Sequence, residues 1–384
     1  MSTLLARLAG VATITLAVAA ADAAHSLEPA EAAGVLDRIG IDRGICVVLG
    51  MQPGDGPELT VELARQSELC VWFQSPDAGE VAAVRQSASA AGLLGSRIFA
   101  DSGGFDTLPL ADNIAGAIVT RGAAERQTPE AELFRVLHPE GVALLGNRCL
   151  VKPCREGVDS WSHVYHGPDN NPLSTDQIAR APYLTQFLGD PKFCPMPEVS
   201  VAAGGRVFRA FGHIAHKANQ NAMLNTLLGI NGYNGAILWR RPLHEGFMIH
   251  RNTMIATSEV LYLGDDESCK ILDAGSGELR GEIVAPAEIT DGPVWKWMAL
   301  DGGVLYALVG HEEVRPQTQR SEVPGLGHWP WGMWQGHEYK DPKTSFGFGR
   351  TLVAIDPSTK EVLWHHREED FVDARGIAMK NGRI

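Results

Sequence analysis

The chain has no adjacent cysteine pair, no CxxC spacing and no cysteine–histidine pattern that matches a zinc site. Its six cysteines therefore assign no metal. Positive charge is in short supply: 33 Lys and Arg stand against 46 Asp and Glu, a net charge of −13. Nucleic acid and anionic membrane surfaces repel such a surface and are excluded as default partners. Beyond residue 21 no apolar run is long enough to cross a bilayer. Glycine and proline, by contrast, are plentiful at 42 and 22, as expected for many short strands joined by turns.

The first residues have the pattern of an export signal. Arg7 supplies a positive charge, an apolar run follows from Leu8 to Ala21, and Ala21-Asp22-Ala23 offers small residues to a signal peptidase. A signal peptide over 1–23 places the mature protein in the periplasm or outside the cell, with no membrane insertion after cleavage. In that oxidising setting a bridge between Cys149 and Cys154, or from either to Cys194, is open. Cys46 and Cys70 lie in apolar runs and are expected as buried hydrophobes.

Over 25–150 strand and helix alternate. "GICVVLG" (44–50), "LCVWFQ" (69–74), "SRIFA" (96–100), "AGAIVT" (115–120) and "GVALLG" (141–146) are expected as strands. Residues 57–66, 78–93 and 130–137 carry helical spacing. The alternation predicts a parallel sheet covered by helices, a Rossmann-like α/β fold with any ligand beyond the carboxyl ends of the strands.

From Gly204 the texture changes to short strands. "LLGINGYNGAILWRRP" (227–242), "CKILDAGSGELRGEI" (269–283) and "LVAIDPSTKEVLWHH" (352–366) each run from apolar residues through Asn231, Asp273 or Asp356 into a polar turn. Each then returns to apolar residues ending in Trp239, Arg280 or Trp364. These are hairpins whose turn residue can cap its own backbone. Each is preceded by a further strand, with openings near Val207, Val260 and Val304. The 44 residues from Val260 to Val304 are close to the roughly 40–45 of a four-stranded propeller blade, and the 53 from Val207 to Val260 hold an insertion. "MKNGRI" (379–384) is expected to open another such strand, which makes the array an incomplete propeller and the chain a fragment.

Three further stretches are candidates for chemistry. "WSHVYHGPDNN" (161–171) places His163 and His166 three apart, a spacing that can hold a metal on one helical face. A Gly-Pro turn follows at once and no third ligand is near, so a lead segment with structural histidines, over 151–203, is the other reading. "PGLGHWPWGMWQGHEY" (324–339) gathers His328, Trp329, Trp331, Trp334, His337 and Tyr339. Aromatics with polar handles grip small molecules, glycans or partner proteins; a lid with its own small core is the alternative. Asp265-Asp266 after a strand is expected as a solvated turn.

Two resemblances follow from these residues. "VVLGMQPGDG", "AAGLLGSRIFADSGGFDTLPLADNIAGAIV" and "FRVLHPEGVALLG" resemble class I S-adenosylmethionine-dependent methyltransferases. The resemblance implies an S-adenosylmethionine pocket at Gly50, Gly54, Gly56, Ser75 and Asp101. Pro53 within the glycine turn, Ser75 where the family has a carboxylate, Glu140 in place of a glycine, and the lack of the final antiparallel strands depart from it. "AIDPSTKEVLW" (354–364) is similar to the blade repeat of pyrroloquinoline-quinone (PQQ) propellers, with Lys360 in place of glycine. That resemblance implies blade-docking tryptophans at Trp239 and Trp364, and PQQ with calcium as a cofactor. Residues 204–384 would then be about three PQQ-like blades. Taken together the segments resemble a class of exported multidomain proteins of planctomycete-type bacteria. Three functions are open: a binding or scaffold module with an inactive methyltransferase-like domain, a PQQ-dependent oxidoreductase of alcohols or sugars, or a methyltransferase.

Overall fold

The computed structural model describes residues 29–182, 185–249, 251–326, 341–343 and 345–384. The expected signal peptide and the aromatic cluster His328, Trp329, Trp331, Trp334, His337 and Tyr339 lie outside the described residues. The chain divides into two compact units, Met1–Arg155 and Glu156–Ile384.

The first unit is a six-stranded sheet. Its strands are β1 (Arg43–Leu49), β2 (Glu68–Ser75), β3 (Ile98–Ser102), β4 (Ala115–Thr120), β5 (Leu137–Leu145) and β6 (Arg148–Val151), in spatial order 3-2-1-4-5-6. β1 to β5 run parallel and β6 pairs antiparallel with β5. This is the Rossmann-like order, with the switch point between β1 and β4. Helices cover both faces: α1 (29–39), α2 (Glu58–Arg65), α3 (Ala78–Ala90), the short α4 (Ala124–Gln127) and α5 (Glu130–Val136). β1 alternates its apolar residues between two cores. Cys46 and Val48 pack with α1 to α3, whereas Val47 and Leu49 pack with Phe105, Leu108 and α5. Both faces must be apolar because both are covered, which is why β1 and β4 read as unbroken hydrophobic runs. Two features depart from expectation. A helix precedes β1, and an antiparallel strand follows β5 where none was expected; the short "RCLV" lacks the β-branched run that marks a buried strand.

The second unit holds three consecutive four-stranded antiparallel sheets, each an up-and-down meander. The first contains β7 (Met196–Ala203), β8 (Arg206–Ile214), β9 (Thr226–Asn231) and β10 (Ile237–Pro242). The second contains β11 (Met254–Ala256), β12 (Val260–Gly264), β13 (Cys269–Asp273) and β14 (Leu279–Ile283). The third contains β15 (Val294–Asp301), β16 (Val304–Gly310), β17 (Phe348–Ile355) and β18 (Val362–Asp373). The repeat read from sequence has a strand and a hairpin, so it misses the first strand of each sheet. β11 is three residues long, β7 starts at a proline-flanked Met, and β15 carries a lysine within its apolar run. Each is a weak strand signal locally.

The hairpin turns repeat atom for atom. Asn231, Asp273 and Asp356 accept through Oδ1 from the amides two and three residues on. The amides of Gly235, Gly277 and Lys360 close each turn onto the carbonyl of the same capping residue. All three closing residues are left-handed, with φ of 76°, 71° and 66°. Glycine suits that backbone; Lys360 adopts it at a cost. Trp239 Nε1 donates to Ala274 O at 3.0 Å, which docks the first sheet on the second hairpin. Gly277 is needed there, since a Cβ would lie 2.6 Å from the Trp239 ring. Trp364 is 42% exposed and packs beside Tyr306.

Other sequence expectations are corrected. All six cysteines are unpaired thiols. Asp265 and Asp266 are buried rather than solvated. Residues 379–384 form no strand: a turn is closed by the Lys380–Arg383 bridge.

Candidate functional site

The carboxyl edge of the parallel sheet is the first place to look, and its polar groups are used by the unit itself. Gly50 turns with φ 68°, and a Cβ there would meet Arg121 O at 3.0 Å and the Phe105 ring at 3.1 Å. Its amide donates to Gln74 O at 2.9 Å. The loop after β1 packs down on the turn after β4, Met51 O lying where a side chain on Gly122 would be. Arg121 clamps that loop by ion pairs to Asp55 at 2.5 Å and Glu31 at 2.6 Å. Gly54 turns in open space, with φ 91° and nothing near its Cβ position, and Gly56 faces the Glu58 carboxylate. Ser75 is buried and its Oγ accepts from Asp77 N, while Asp77 caps α3 through Gly79 N at 2.7 Å. Gln74 donates to Gly104 O at 2.5 Å. Asp101 is exposed and pairs with Arg85 at 3.3 Å. The five residues expected around S-adenosylmethionine thus lie at one sheet edge, but what they touch is their own domain. With Ser75 rather than a carboxylate ending β2 and Pro53 withdrawing an amide from the turn, the residues present do not fit that cofactor.

The Trp161–Asn171 segment ties the three sheets together. Trp161 exchanges backbone hydrogen bonds with Ala202 of β7, Ser162 O accepts from Ala256 N of β11, and His163 Nε2 accepts from Leu300 N of β15 at 3.0 Å. Three consecutive residues therefore hold the first strand of each successive sheet. With Nε2 an acceptor, Nδ1 carries the proton and donates to Ser162 Oγ at 2.8 Å. Burial pushes the His163 pKa down to about 4, with His166 adding to the effect. His166, left-handed at φ 74°, turns away and pairs with Asp159 at 2.8 Å. Burial alone would raise the Asp159 pKa. Donors from Thr175 N, Ser174 and His166 outweigh it and hold the carboxyl well below the usual range. The two histidines have separate partners, and no group of three His, Cys, Asp or Glu side chains that could hold a metal occurs among the described residues.

The end of the same segment lines a cavity of about 350 Å³ wholly within the second unit. Tyr165 and Asn170 face Asn252, Phe346, Arg251 and Lys296 across it. Asn170 is fixed by donating to Ile377 O at 2.6 Å and accepting from Asn252 Nδ2 at 3.3 Å. Asn252 Oδ1 is buried and has no partner. Beneath the wall lies a buried network of four charges. Arg251 pairs with Asp266 at 2.6 Å and, through Nε and Nη2, with Glu313 Oε2 at 2.9 and 2.5 Å. Lys296 Nζ donates to Glu313 Oε1 and His311 O, both at 2.6 Å, and its side chain is 0% exposed. Burial pushes the Lys296 pKa down to about 8, against the pull of Glu313. Burial raises Glu313, but Arg251 and Lys296 more than reverse it and hold it below its ordinary value.

Sequence reading missed Arg251, Asn252, Lys296, Glu313 and Phe346, and it took Asp266 for part of a solvated turn. One signal was present: Lys296 stands between Trp295 and Trp297 in a strand buried on both faces, and a lysine there needs a partner. The partner, Glu313, comes from the loop after β16 and carries no local mark.

No family model and no curated protein matches the chain. Solved structures do match, over about a third of it. A Methanococcus maripaludis protein assigned as an S-adenosyl-L-methionine-dependent methyltransferase is 27% identical at TM-score 0.27, covering 31% of this chain and 54% of that one. A Galdieria sulphuraria protein assigned as a sarcosine dimethylglycine methyltransferase is 21% identical at TM-score 0.26, covering 30% and 44%. The geranyl diphosphate C-methyltransferase of Streptomyces coelicolor A3(2) is 17% identical at TM-score 0.27, covering 31% and 45%. The first unit is Rossmann-like in its own strand order. The chain spans about half the length of these structures, and fold is separate from activity.

Proposed function

We propose that this chain is an exported ligand-binding module, built on a propeller-like array of sheets whose cavity is the binding site, with a methyltransferase-like unit kept as scaffold. The observation that carries the reading is the cavity of about 350 Å³, lined by Val164, Tyr165, Pro172 and Phe346 together with Asn170 and Asn252. Concave sites of roughly 300–1,000 Å³ with apolar walls and a few convergent polar groups are where small molecules bind. The three meanders and the tryptophan docking between the first two support the propeller reading. The export-like pattern of residues 1–23 is the support for location.

The PQQ-oxidoreductase reading meets a chemical mismatch. Calcium beneath the quinone takes carboxylate oxygens, and the cavity is lined by the amides of Asn170 and Asn252 with no carboxylate. Methyl transfer is the second reading, favoured by the strand order of the first unit and opposed by its closed switch-point loop. The test is a saturation-transfer NMR screen of small fragments on the full chain, with calorimetric titrations of S-adenosylmethionine and of PQQ plus calcium. Fragments should bind the wild type and lose binding in Asn252→Trp, which fills the cavity, and both cofactors should give no heat. Stoichiometric binding of either cofactor overturns the reading.

A further inference from the structure

We infer that the cavity of the second unit takes an uncharged aromatic compound the size of two fused rings. The inference rests on the reading of that cavity as the ligand site and names the class of ligand.

The first argument is that the charges around the cavity are already matched. Arg251 and Lys296 are balanced by Asp266 and Glu313. Arg375 is held by Asp373 through two hydrogen bonds, Nε to Oδ1 at 2.8 Å and Nη2 to Oδ2 at 2.5 Å. Arg251 Nη1 and Asp266 Oδ1 lack a well-directed hydrogen bond, yet they lie 2.6 Å apart as an ion pair. The Lys296 and Arg251 side chains are 0% and 2% exposed, so neither presents its charge to a ligand. Asn252 Oδ1 is buried, and the Asn170 amide is engaged at both ends by Ile377 O and Asn252. A charged ligand would leave water here without gaining a counter-ion, a loss that an uncharged one avoids.

The second argument is the shape of what the wall does present. Tyr165, Phe346 and the ring of Pro172 are flat groups, and Tyr165 is 52% exposed. Flat apolar groups pack best against the face or edge of another ring. Arg375 adds a planar cation whose side chain is half exposed and which already lies over the Phe348 ring, 5.5 Å from its centroid. A guanidinium paired with a carboxylate still attracts an aromatic face, because its hydrogen bonds lie in the plane and that attraction acts across it. An aromatic ligand therefore gains from Arg375 without taking it from Asp373.

The third argument is size. A cavity of about 150 Å³ accepts one benzene ring. The space here is about 350 Å³, which accommodates two fused rings with a short substituent.

The test is calorimetric titration of the full chain at neutral pH with 2-naphthalenemethanol, with its charged counterparts 2-naphthoate and 2-naphthylmethylammonium, and with benzyl alcohol. The uncharged naphthalene should bind about tenfold or more tightly than either ion, the penalty for an unpaired charge. Benzyl alcohol should bind several-fold more weakly than 2-naphthalenemethanol; equal binding removes the second ring from the inference. Asp373→Asn keeps the side-chain oxygen that accepts from Arg375 N and removes the charge. It should strengthen 2-naphthoate several-fold and leave 2-naphthalenemethanol unchanged. An ion that binds the wild type as tightly as the alcohol, or a 2-naphthoate affinity that Asp373→Asn does not raise, overturns the charge argument while the cavity stands as the site. Failure of all four compounds where other fragments bind overturns the aromatic class and again leaves the cavity. Absence of binding by any fragment, or binding that survives Asn252→Trp, overturns the inference and the cavity reading together.

Discussion

The carboxyl edge of the parallel sheet and the cavity among the meanders are both rich in polar residues, and they differ in what those residues have left to offer. At the sheet edge Gln74, Ser75, Asp77, Asp101 and Arg121 each hold a neighbour in the same unit. Along the cavity stand Arg251, Lys296 and Arg375 and no carboxylate, and Asn252 Oδ1 is buried without a partner. Polar density alone does not mark a binding site.

The largest effect that can break this comparison is expected at Glu313. Glu313→Gln leaves Arg251 and Lys296 sharing one fewer carboxylate in a buried setting, and breaking such a pair costs about 3–5 kcal/mol. Urea unfolding followed by tryptophan fluorescence reads it through Trp295 and Trp297, both buried. A loss under 1 kcal/mol would mean that the network is solvated and the contrast with the sheet edge is false.

The next effect is a pH dependence. The folded His163 titrates near 4 and its ordinary value is 6.5, so the unfolded chain takes up the proton first as pH falls. Stability should be full above pH 6.5, decline by about 2–3 kcal/mol as pH drops toward 4, and level off below that. His163→Gln should flatten this window in a series of unfolding curves from pH 4 to pH 7.

Gly277→Ala adds a Cβ against the Trp239 ring in a left-handed backbone, at an expected cost of about 2 kcal/mol. The midpoint of urea unfolding measures it. Arg121→Ala at the sheet edge should cost only about 1 kcal/mol, because its partners Asp55 and Glu31 are partly exposed. A cost equal to that of Glu313→Gln would erase the distinction between the two regions. The smallest effect is a gain: Lys360→Gly relieves the left-handed lysine and should raise stability by about 0.5–1 kcal/mol, visible as a small rise in the unfolding midpoint.

Much of the architecture was legible locally. β1 and β4 announce themselves as nearly unbroken apolar runs, and the Asx residues Asn231, Asp273 and Asp356 announce their turns, because a side chain that bonds two residues ahead needs no distant partner. The first strand of each meander was not legible. β11 is too short to show a period, and β15 is interrupted by Lys296. Within the lead segment over 151–203, nothing in the local sequence says that Trp161, Ser162 and His163 bond to three different sheets.

The sequence by itself determined the alternation of strand and helix in the first unit and the repeated hairpins of the second, since both depend on side chains within a few positions of one another. Tertiary structure alone decided where polar groups are satisfied. Glu313 meets Arg251 across 62 residues and His163 meets Leu300 across 137. A lysine between two tryptophans can be tolerated only if such a partner arrives, and chain distance carries no record of which residue it is.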